Sequence, residues 1–280
     1  MKIVITGGKG MLASNIIPTF QKHHSVVTVD IDEWDITNRE KGAVFIGKHK
    51  PDVIINLAAI TNVDGCEDIP EIAQKVNGDA PGILAELCEA NHVKLVHFST
   101  DYVFDGTKDT PYNEEDIPNP QSVYGKSKMS AEIQIKRYNP SAIIMRAEWL
   151  YGGALGGGDF ITKITKAARE KGHVEVVDDQ RGTPTYAKDI GEPLMSLIEN
   201  DRSGIYHISN SGSTTWYGFT KEIFRLLDID VPLTPTTSDA YKTKAKRPKN
   251  SVYDISKLHR DTGITMRPWH EALRDYLLKK

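Results

Sequence analysis

The feature that most restricts the fold of this chain is a glycine-containing turn between its first predicted strand and its first predicted helix. The strand is KIVITG (2–7), and the turn TGGKGMLAS places Gly7, Gly10 and Ala13 at three-residue intervals. Glycine at the first position permits a tight turn, glycine at the second lets the backbone approach a pyrophosphate, and a small residue at the third lets helix and strand pack closely. The phosphates would lie at a helix N-terminus, where unpaired N–H groups favour negative charge.

An acidic residue supports this interpretation. Asp30 ends the next predicted strand, SVVTVD (25–30), and an acid about 20 residues after such a turn bonds the adenosine ribose hydroxyls. The carboxylate would repel a 2′-phosphate, and no arginine follows directly in DIDEWDITN. The pattern therefore predicts NADH or NADPH as cofactor, with NADH favoured. The glycine pattern alone could also be a plain strand–helix turn.

Apolar runs alternate with helix-forming segments through the first half of the chain. The runs are 2–7, 25–30, 52–59, 94–100 and 141–147. Continuous β-branched strands are typical of parallel sheets buried on both faces, and their alternation with helices predicts right-handed crossovers. We expect an α/β fold, a Rossmann-type doubly wound parallel sheet with a smaller C-terminal substrate-binding lobe.

The alternation becomes less regular after residue 150. The segment YGGALGGGDF (151–160) is glycine-rich, and it is interpreted as either a lid or a flexible connector. We predict a dinucleotide-binding Rossmann domain over 1–150, with 175–195 returning to it, and a mainly substrate-binding lobe over 151–280.

Composition argues against several classes of function. The 280 residues carry a formal net charge of −3 with no long basic run, unlike a dedicated nucleic-acid binder. No apolar stretch approaches the roughly 20 residues that a membrane span needs. The N-terminus lacks a signal-peptide pattern, and Cys66 and Cys88 show no metal or redox spacing. We expect a cytoplasmic protein without nucleic-acid, membrane or metal partners.

A candidate catalytic set follows the fourth predicted strand. Tyr124 and Lys128, in VYGKSK, are one helical turn apart, so both side chains lie on one helix face. Alone, this spacing is more often found on a solvated helix. Thr100 and Asp101, in FSTDYVFDG, fall at the carboxyl end of a strand, where open α/β sheets bind ligands. A hydroxyl, a phenol and an ammonium are therefore expected to converge beside the nicotinamide.

These motifs resemble the extended short-chain dehydrogenase/reductase family, whose catalytic core is Ser/Thr plus Tyr-x-x-x-Lys. The segments FSTDYVFDG, YGKSKMSAE, RAEWLYG, DDQRGTPTYAKDI and RPKNSVYDISKL are similar, in order, to the dTDP-4-dehydrorhamnose reductases over nearly the whole chain. The resemblance implies NAD(P)H-dependent reduction of the C4 ketone of a nucleoside-diphospho-4-keto-6-deoxysugar. dTDP-L-rhamnose, a precursor of surface polysaccharide, is the leading candidate product.

The resemblance also implies roles for individual residues. Tyr124 would donate a proton to the C4 alkoxide, and Lys128 would lower the pKa of that phenol and bond the nicotinamide ribose. Thr100 would hydrogen-bond the keto oxygen or the phenol. The predicted substrate-binding residues are Thr100, Asp101, Trp149 and Arg247. The predicted cofactor-binding residues are Gly7, Gly10, Met11, Leu12, Asp30, Ile31, Asp35, Ile36, Ala58, Ala59, Ile60, Thr61, Tyr124 and Lys128.

Two of these residues have a plain alternative. Trp149 would pack against the sugar or wall the pocket, but a tryptophan here could equally belong to the core. Arg247, with Asn250 in KRPKN, would meet the diphosphate, but this segment could be a solvated basic turn.

The chain departs from the family pattern at two places. The family usually has threonine and serine before the tryptophan of RTSW, where this chain has Ala147 and Glu148, and this change leaves the exact sugar open. Some members place glutamates at a metal-linked dimer contact, where this chain has Asn15 and Lys188. We therefore expect no magnesium-bridged dimer, and the sequence leaves another form of homodimer open.

Other functions are compatible with the same fold. A related nucleotide-sugar epimerase or dehydratase is one, although dehydratases usually need an acidic pair where STDY offers only Asp101. A non-catalytic regulatory subunit, similar to that of methionine adenosyltransferase, is another. Turnover of NADH by the purified protein would distinguish an enzyme from a regulatory subunit.

Overall fold

A computed structural model describes residues 1–153 and 158–278. Its strands are β1 (Lys2–Thr6), β2 (Ser25–Val29), β3 (Val53–Asn56), β4 (Lys94–Thr100), β5 (Ile143–Ala147), β6 (Leu150–Tyr151), β7 (Val174–Val177), β8 (Arg181–Gly182), β9 (Thr185–Tyr186), β10 (Gly204–Ile208), β11 (Thr214–Thr215) and β12 (Leu233–Thr236). Its α-helices are α1 (Met11–Gln21), α2 (Arg39–His49), α3 (Val63–Cys66), α4 (Pro70–Ala73), α5 (Ala80–Ala90), α6 (Val123–Tyr138), α7 (Phe160–Lys171), α8 (Gly191–Glu199), α9 (Trp216–Leu227), α10 (Ser256–Thr262) and α11 (Trp269–Leu278). A π-helical turn, Gln74–Asp79, joins α4 to α5.

The central sheet has six parallel strands in the order β10–β5–β4–β3–β1–β2. The chain leaves β1 toward β2 on one side and then returns to β3 on the other, so the direction of winding reverses beside β1. In open α/β sheets, ligands bind at this switch point, outside the carboxyl ends of the strands. The predicted doubly wound parallel sheet is therefore confirmed.

Both faces of the sheet are covered by helices. Ile3 and Ile5 of β1 join a core that includes side chains of α1, α8 and α10, whereas Val4, between them, joins the core under α2, α5 and α6. Successive side chains of a strand point to opposite faces, so burial of both faces requires consecutive apolar residues. This is why the strands read as continuous apolar runs.

The segment 175–195, predicted to return to the dinucleotide-binding domain, packs partly against the central sheet. At its start, β7 pairs with β12 instead of joining the sheet. Ala187, Ile190 and Leu194 join the core that includes α1. Beyond its end, β10 forms the edge strand next to β5, because its buried side chains complete the same core as α8. The assignment of 175–195 to that domain stays a prediction.

The remaining elements form a smaller lobe with its own core. Buried side chains of α7, β7, α9 and α11 pack together there, among them Ile161, Val174, Phe219, Ile223 and Leu273. The predicted lid or connector over 151–160 falls partly outside the described residues, since 154–157 are not among them.

Candidate active site

The turn after β1 has the geometry of a dinucleotide-binding loop. Gly7 adopts a φ of +67°, and a Cβ atom there would lie 2.9 Å from the backbone nitrogen of Ala58, so only glycine fits. The Gly10 N–H donates to the Gly7 carbonyl over 2.9 Å. Helix α1 begins at Met11 without a capping side chain or an acid in its first turn. Its first N–H groups can therefore bind a phosphate, and these residues fit a dinucleotide.

A cavity of about 980 Å³ lies in front of this turn and the carboxyl ends of the strands. Every predicted cofactor-binding residue lines it, as do Thr100, Asp101 and Trp149, whereas Arg247 lines a second cavity. The sequence analysis missed several lining residues: Thr6, Trp34, Leu57, Val63, Ile72, Val76, Ser99 and Tyr102. Trp34 stands between Asp30 and Asp35 in the sequence, and that position was the available signal.

The acid after β2 is held in its charged form. The Asp30 carboxylate accepts hydrogen bonds from the backbone N–H groups of Lys9, over 3.0 Å, and Ile31, over 2.9 Å. These bonds lower the pKa of Asp30. The ammonium of Lys9 pairs with exposed Asp32. The cavity therefore presents a fixed negative charge where the sequence predicts the adenosine ribose.

Helix α6 presents the tyrosine and the lysine on one face. The Ser122 side chain caps the helix by accepting the Gly125 N–H over 3.1 Å. A Cβ atom at Gly125 would lie 2.2 Å from the Tyr102 carbonyl, so glycine lets the first turn of α6 approach the segment after β4. Tyr124 and Lys128 then follow at a four-residue interval, and both line the cavity.

The protonation states of this pair are set mainly by burial. Burial raises the pKa of Tyr124, and a hydrogen bond with Thr100 opposes this shift. Burial lowers the pKa of Lys128 to about 8, opposed by the charge of Glu132. Burial outweighs the hydrogen bond that opposes it, and the lowering of this pKa by Lys128 stays a prediction. Tyr124 is a neutral phenol with a proton to donate at pH 7.

Two acids, Asp101 and Glu148, lie near Thr100. The Thr100 hydroxyl donates to Asp101 over 3.0 Å, and burial raises the pKa of Asp101 to about 6. Glu148 is 1% exposed, and its carboxyl accepts the Thr183 N–H over 2.9 Å. Burial and the charge of Asp101 raise the pKa of Glu148 well above its usual range. The departure from RTSW thus places a buried acid next to Trp149 in the cavity wall.

Trp149 forms part of that wall. It adopts a φ of +43°, which is unusual for a side chain of this size. Its ring stacks on Trp216 with centroids 3.6 Å apart. A Cβ atom at Gly182 would lie 2.5 Å from the Trp149 ring, so glycine is needed there. Trp149 is neither solvent-exposed nor fully buried, and its contact with a sugar stays a prediction.

A second cavity of about 930 Å³ adjoins the first. Tyr102 lines the first cavity, and Arg247 lines the second. Arg247 also makes a two-point contact with Asp64, over 2.8 and 3.2 Å, and Asn250 donates to the Lys108 carbonyl over 2.7 Å. The basic residues lining the second cavity are Lys108, Arg181, Lys242, Lys244, Lys246, Arg247 and Lys249. This surplus of positive charge suits a polyanionic ligand.

The described part of the chain shows neither a metal-binding cluster nor a membrane-spanning helix. Within residues 1–153 and 158–278, no group of three or more His, Cys, Asp or Glu side chains is arranged to hold a metal ion. In the same ranges, no helix combines the length and apolar character needed to cross a membrane. The Asn15 amide donates to the carbonyls of Met11 and Gly152, which ties α1 to the segment after β6.

The doubly wound sheet, the dinucleotide turn and the threonine–tyrosine–lysine set define a nicotinamide-dependent oxidoreductase of the short-chain dehydrogenase/reductase class. The family model described as RmlD substrate binding domain matches residues 1–280. The chain belongs to the dTDP-4-dehydrorhamnose reductase family of extended short-chain dehydrogenases/reductases. It is an NAD(P)H-dependent oxidoreductase.

Similar proteins match the chain along its whole length. The spore coat polysaccharide biosynthesis protein SpsK of Bacillus subtilis is 34% identical, with 100% of this chain and 98% of the relative covered. A dTDP-4-dehydrorhamnose reductase of Clostridium acetobutylicum is 39% identical, with a TM-score of 0.96 and 100% of both chains covered. A dTDP-4-dehydrorhamnose reductase of Bacillus anthracis in complex with NADP is 31% identical, with a TM-score of 0.95 and 100% of this chain and 99% of that chain covered.

Proposed function

We propose that this protein reduces the C4 ketone of a nucleoside-diphospho-4-keto-6-deoxysugar. The leading substrate is dTDP-4-dehydro-L-rhamnose, and the product, dTDP-L-rhamnose, would serve the synthesis of a surface polysaccharide. The observation that carries the proposal is the placement of Tyr124, Thr100 and Lys128 in the wall of the dinucleotide cavity, beside a second cavity rich in basic residues.

The side chains of the first cavity fit the proton chemistry of a ketone reduction. A reduced nicotinamide, when bound, supplies the hydride to C4. Tyr124, kept neutral by burial, donates its proton to the oxygen that becomes the alcohol. Thr100 lies in the same cavity wall and would hydrogen-bond the keto oxygen or the phenol, and Lys128 brings positive charge to the phenolate that remains.

The second cavity fits the nucleotide end of the substrate. A diphosphate carries charge that lysine and arginine side chains can balance, and the planar fork of arginine matches phosphate oxygens well. Arg247 is bound by Asp64 through two hydrogen bonds. Asp64 would thus orient the guanidinium before the substrate arrives, as expected of a prearranged binding group.

The direct test is oxidation of NADH and NADPH by the purified protein with a panel of nucleotide 4-keto-sugars, with the products identified by NMR. We expect turnover only with a 4-keto-6-deoxysugar and an alcohol at C4 of the product. Release of water or inversion without net oxidation would favour the dehydratase or epimerase alternative. No turnover with any keto sugar, despite dinucleotide binding, would favour a regulatory subunit.

Cofactor preference depends on Asp30. We expect Asp30→Ala to weaken NADH binding and to raise the affinity for NADPH relative to NADH, because the fixed carboxylate repels a 2′-phosphate and bonds the ribose hydroxyls. Dissociation constants from fluorescence titration measure this ratio. Asp32→Ala, which alters an exposed neighbour, is the matched control. An unchanged ratio in Asp30→Ala would show that Asp30 does not read the ribose.

Binding of the nucleotide end of the substrate depends on Arg247. We expect Arg247→Ala to raise KM for the nucleotide sugar roughly 10-fold or more, since a hydrogen bond to a charged group contributes about 1.5–3 kcal/mol. The affinity for NADH should stay unchanged, because Arg247 lines the other cavity. Steady-state kinetics measure KM for the nucleotide sugar. Arg202→Ala, which alters an exposed arginine, is the control. A normal KM in Arg247→Ala would assign this residue to a structural ion pair with Asp64.

We also propose where the protein is located in the cell and how its assembly can be tested. A cytoplasmic location fits the free thiols of Cys66 and Cys88, both buried, and a nicotinamide cofactor. Cell fractionation would test the location, and light scattering would test whether a homodimer forms in solution.

A further inference from the structure

Three buried polar side chains form a row across the sheet behind Lys128. Thr6, Asn56 and His97 are registered neighbours on β1, β3 and β4, and none is more than 1% exposed. The Thr6 hydroxyl lies 2.6 Å from Asn56 Oδ1, and Asn56 Nδ2 lies 3.0 Å from His97 Nδ1. His97 Nε2 lies 3.1 Å from Lys128 Nζ. A continuous hydrogen-bonded chain therefore runs from β1 to the lysine on α6.

The row is confined to the end of the sheet that faces the lysine. Two residues earlier on the same strands and the same face stand Val4, Ile54 and Leu95, all fully buried in the core under α5 and α6. Burying polar groups costs free energy unless each one is paired, and apolar residues fill the preceding row without such partners. The polar row is therefore better explained by its contact with Lys128 than by packing.

The polarity of this chain depends on the charge of the lysine. An ammonium can only donate, so His97 Nε2 must accept and Nδ1 must carry the ring proton. This polarity requires the Asn56 amide to be turned by 180° from the orientation given above, so that its oxygen accepts from Nδ1–H and its amide N–H donates to Thr6; the two orientations have the same shape. Burial and the charge of Lys128 keep the pKa of His97 well below its usual range, so the imidazole is neutral and can accept.

Among the groups around Lys128, the role of His97 differs from that of Glu132. Glu132, one turn along α6, is bound by Arg146 over 2.6 and 2.9 Å and by Ser99 over 2.5 Å. Its charge is thus shared with the guanidinium from β5, although it still favours the charged form of Lys128. On β4, His97 supplies the direct hydrogen bond to the ammonium.

We propose that His97, held by Asn56 and Thr6, is a positioning residue that keeps the Lys128 ammonium charged and fixed at the wall of the cofactor cavity. The proposal deepens the proposed function, because the charged lysine supports both the phenolate of Tyr124 and the nicotinamide ribose. In support, Lys128 is almost completely buried, and His97 Nε2 lies within hydrogen-bond distance of its ammonium.

The proposal is tested by titrating Lys128 directly. In protein labelled with ¹³C-lysine, the Cε signal of Lys128, assigned with Lys128→Arg, reports its pKa by NMR without any substrate. In His97→Leu we expect this pKa to fall by about 1–2 units, the equivalent of a hydrogen bond to a charged group. His97→Gln retains an acceptor and should stay within about half a unit of wild type.

A variant at Thr6, the far end of the hydrogen-bonded row, shows whether the whole row or only His97 acts on Lys128. Thr6→Val does not touch Lys128, so a smaller fall in the same direction is expected from it, because Asn56 loses the partner that fixes its orientation. The control is His23→Leu, which alters an exposed histidine and should leave Lys128 unchanged. Circular dichroism verifies that each variant is folded.

The kinetic readout has a defined sign. The ammonium is lost as pH rises through its pKa, so a lower pKa moves the alkaline loss of kcat to lower pH by the same amount. An unchanged pKa of Lys128 in folded His97→Leu overturns the proposal. A lower pKa in His97→Leu together with an unchanged pKa in Thr6→Val overturns the role of Asn56 and Thr6. A failure of the reductase assay alone would instead count against the proposed function, since the NMR titration needs no substrate.

Discussion

Tyr124→Phe is expected to lower kcat about 10²-fold or more, the usual scale for loss of a general acid. The substitution removes one hydroxyl from a side chain in the cavity wall, and it leaves the packing of α6 intact. Thermal stability and NADH affinity should therefore stay close to wild type. Steady-state kinetics on the preferred keto sugar measure the effect.

The matched control is Tyr138→Phe, which removes the same atom from the last turn of the same helix. This variant should retain wild-type kcat. Near-full activity of Tyr124→Phe would mean that another group, such as the buried acid Glu148, supplies the proton, and the proposed role of Tyr124 would be wrong.

Lys128 extends this prediction to a pair. Lys128→Ala should lower kcat and also weaken NADH binding, because one ammonium serves both the phenol and the ribose. The double variant with Tyr124→Phe should lose far less than the product of the two single losses, as expected of residues that act as a unit. Fully multiplicative losses would show that the two side chains act independently.

The sequence predicted the elements of the site better than its electrostatics. The turn at Gly7 and the acid at Asp30 could be placed because each follows a strand at a fixed distance, and parallel strands bring their carboxyl ends together. The sign of the pKa shift at Tyr124 could not be predicted, because it depends on burial by Tyr102 and other neighbours that are distant in sequence.

The polar row behind Lys128 was also hidden in the sequence. His97 stands within the apolar run KLVHFST and Asn56 within DVIINLAA, so each reads as one polar residue in a buried strand. Their contact depends on strand order and register, with β3 between β1 and β4. A hydrophobic pattern gives neither strand order nor register.

A buried ion pair holds α6 against β5. Arg146 and Glu132 are 1% and 3% exposed, and the guanidinium binds the carboxylate over 2.6 and 2.9 Å. We expect Arg146→Met to lower the free energy of unfolding by about 3–5 kcal/mol, because it leaves a buried carboxylate without its cation. Urea denaturation measures the change. Lys166→Met, which breaks an exposed pair with Glu170, should change stability by less than about 1 kcal/mol.

The double variant Glu132→Gln, Arg146→Met tests the cause of this loss. Glutamine removes the stranded charge and still accepts from Ser99, which now bonds Glu132, so the double variant should be more stable than Arg146→Met alone. A double variant as unstable as the single one would assign the loss to packing around the arginine. In Arg146→Met the freed carboxylate also acts more strongly on Lys128, whose pKa its charge already raises. The ion pair thus limits how strongly the charge of Glu132 acts on the Lys128 ammonium.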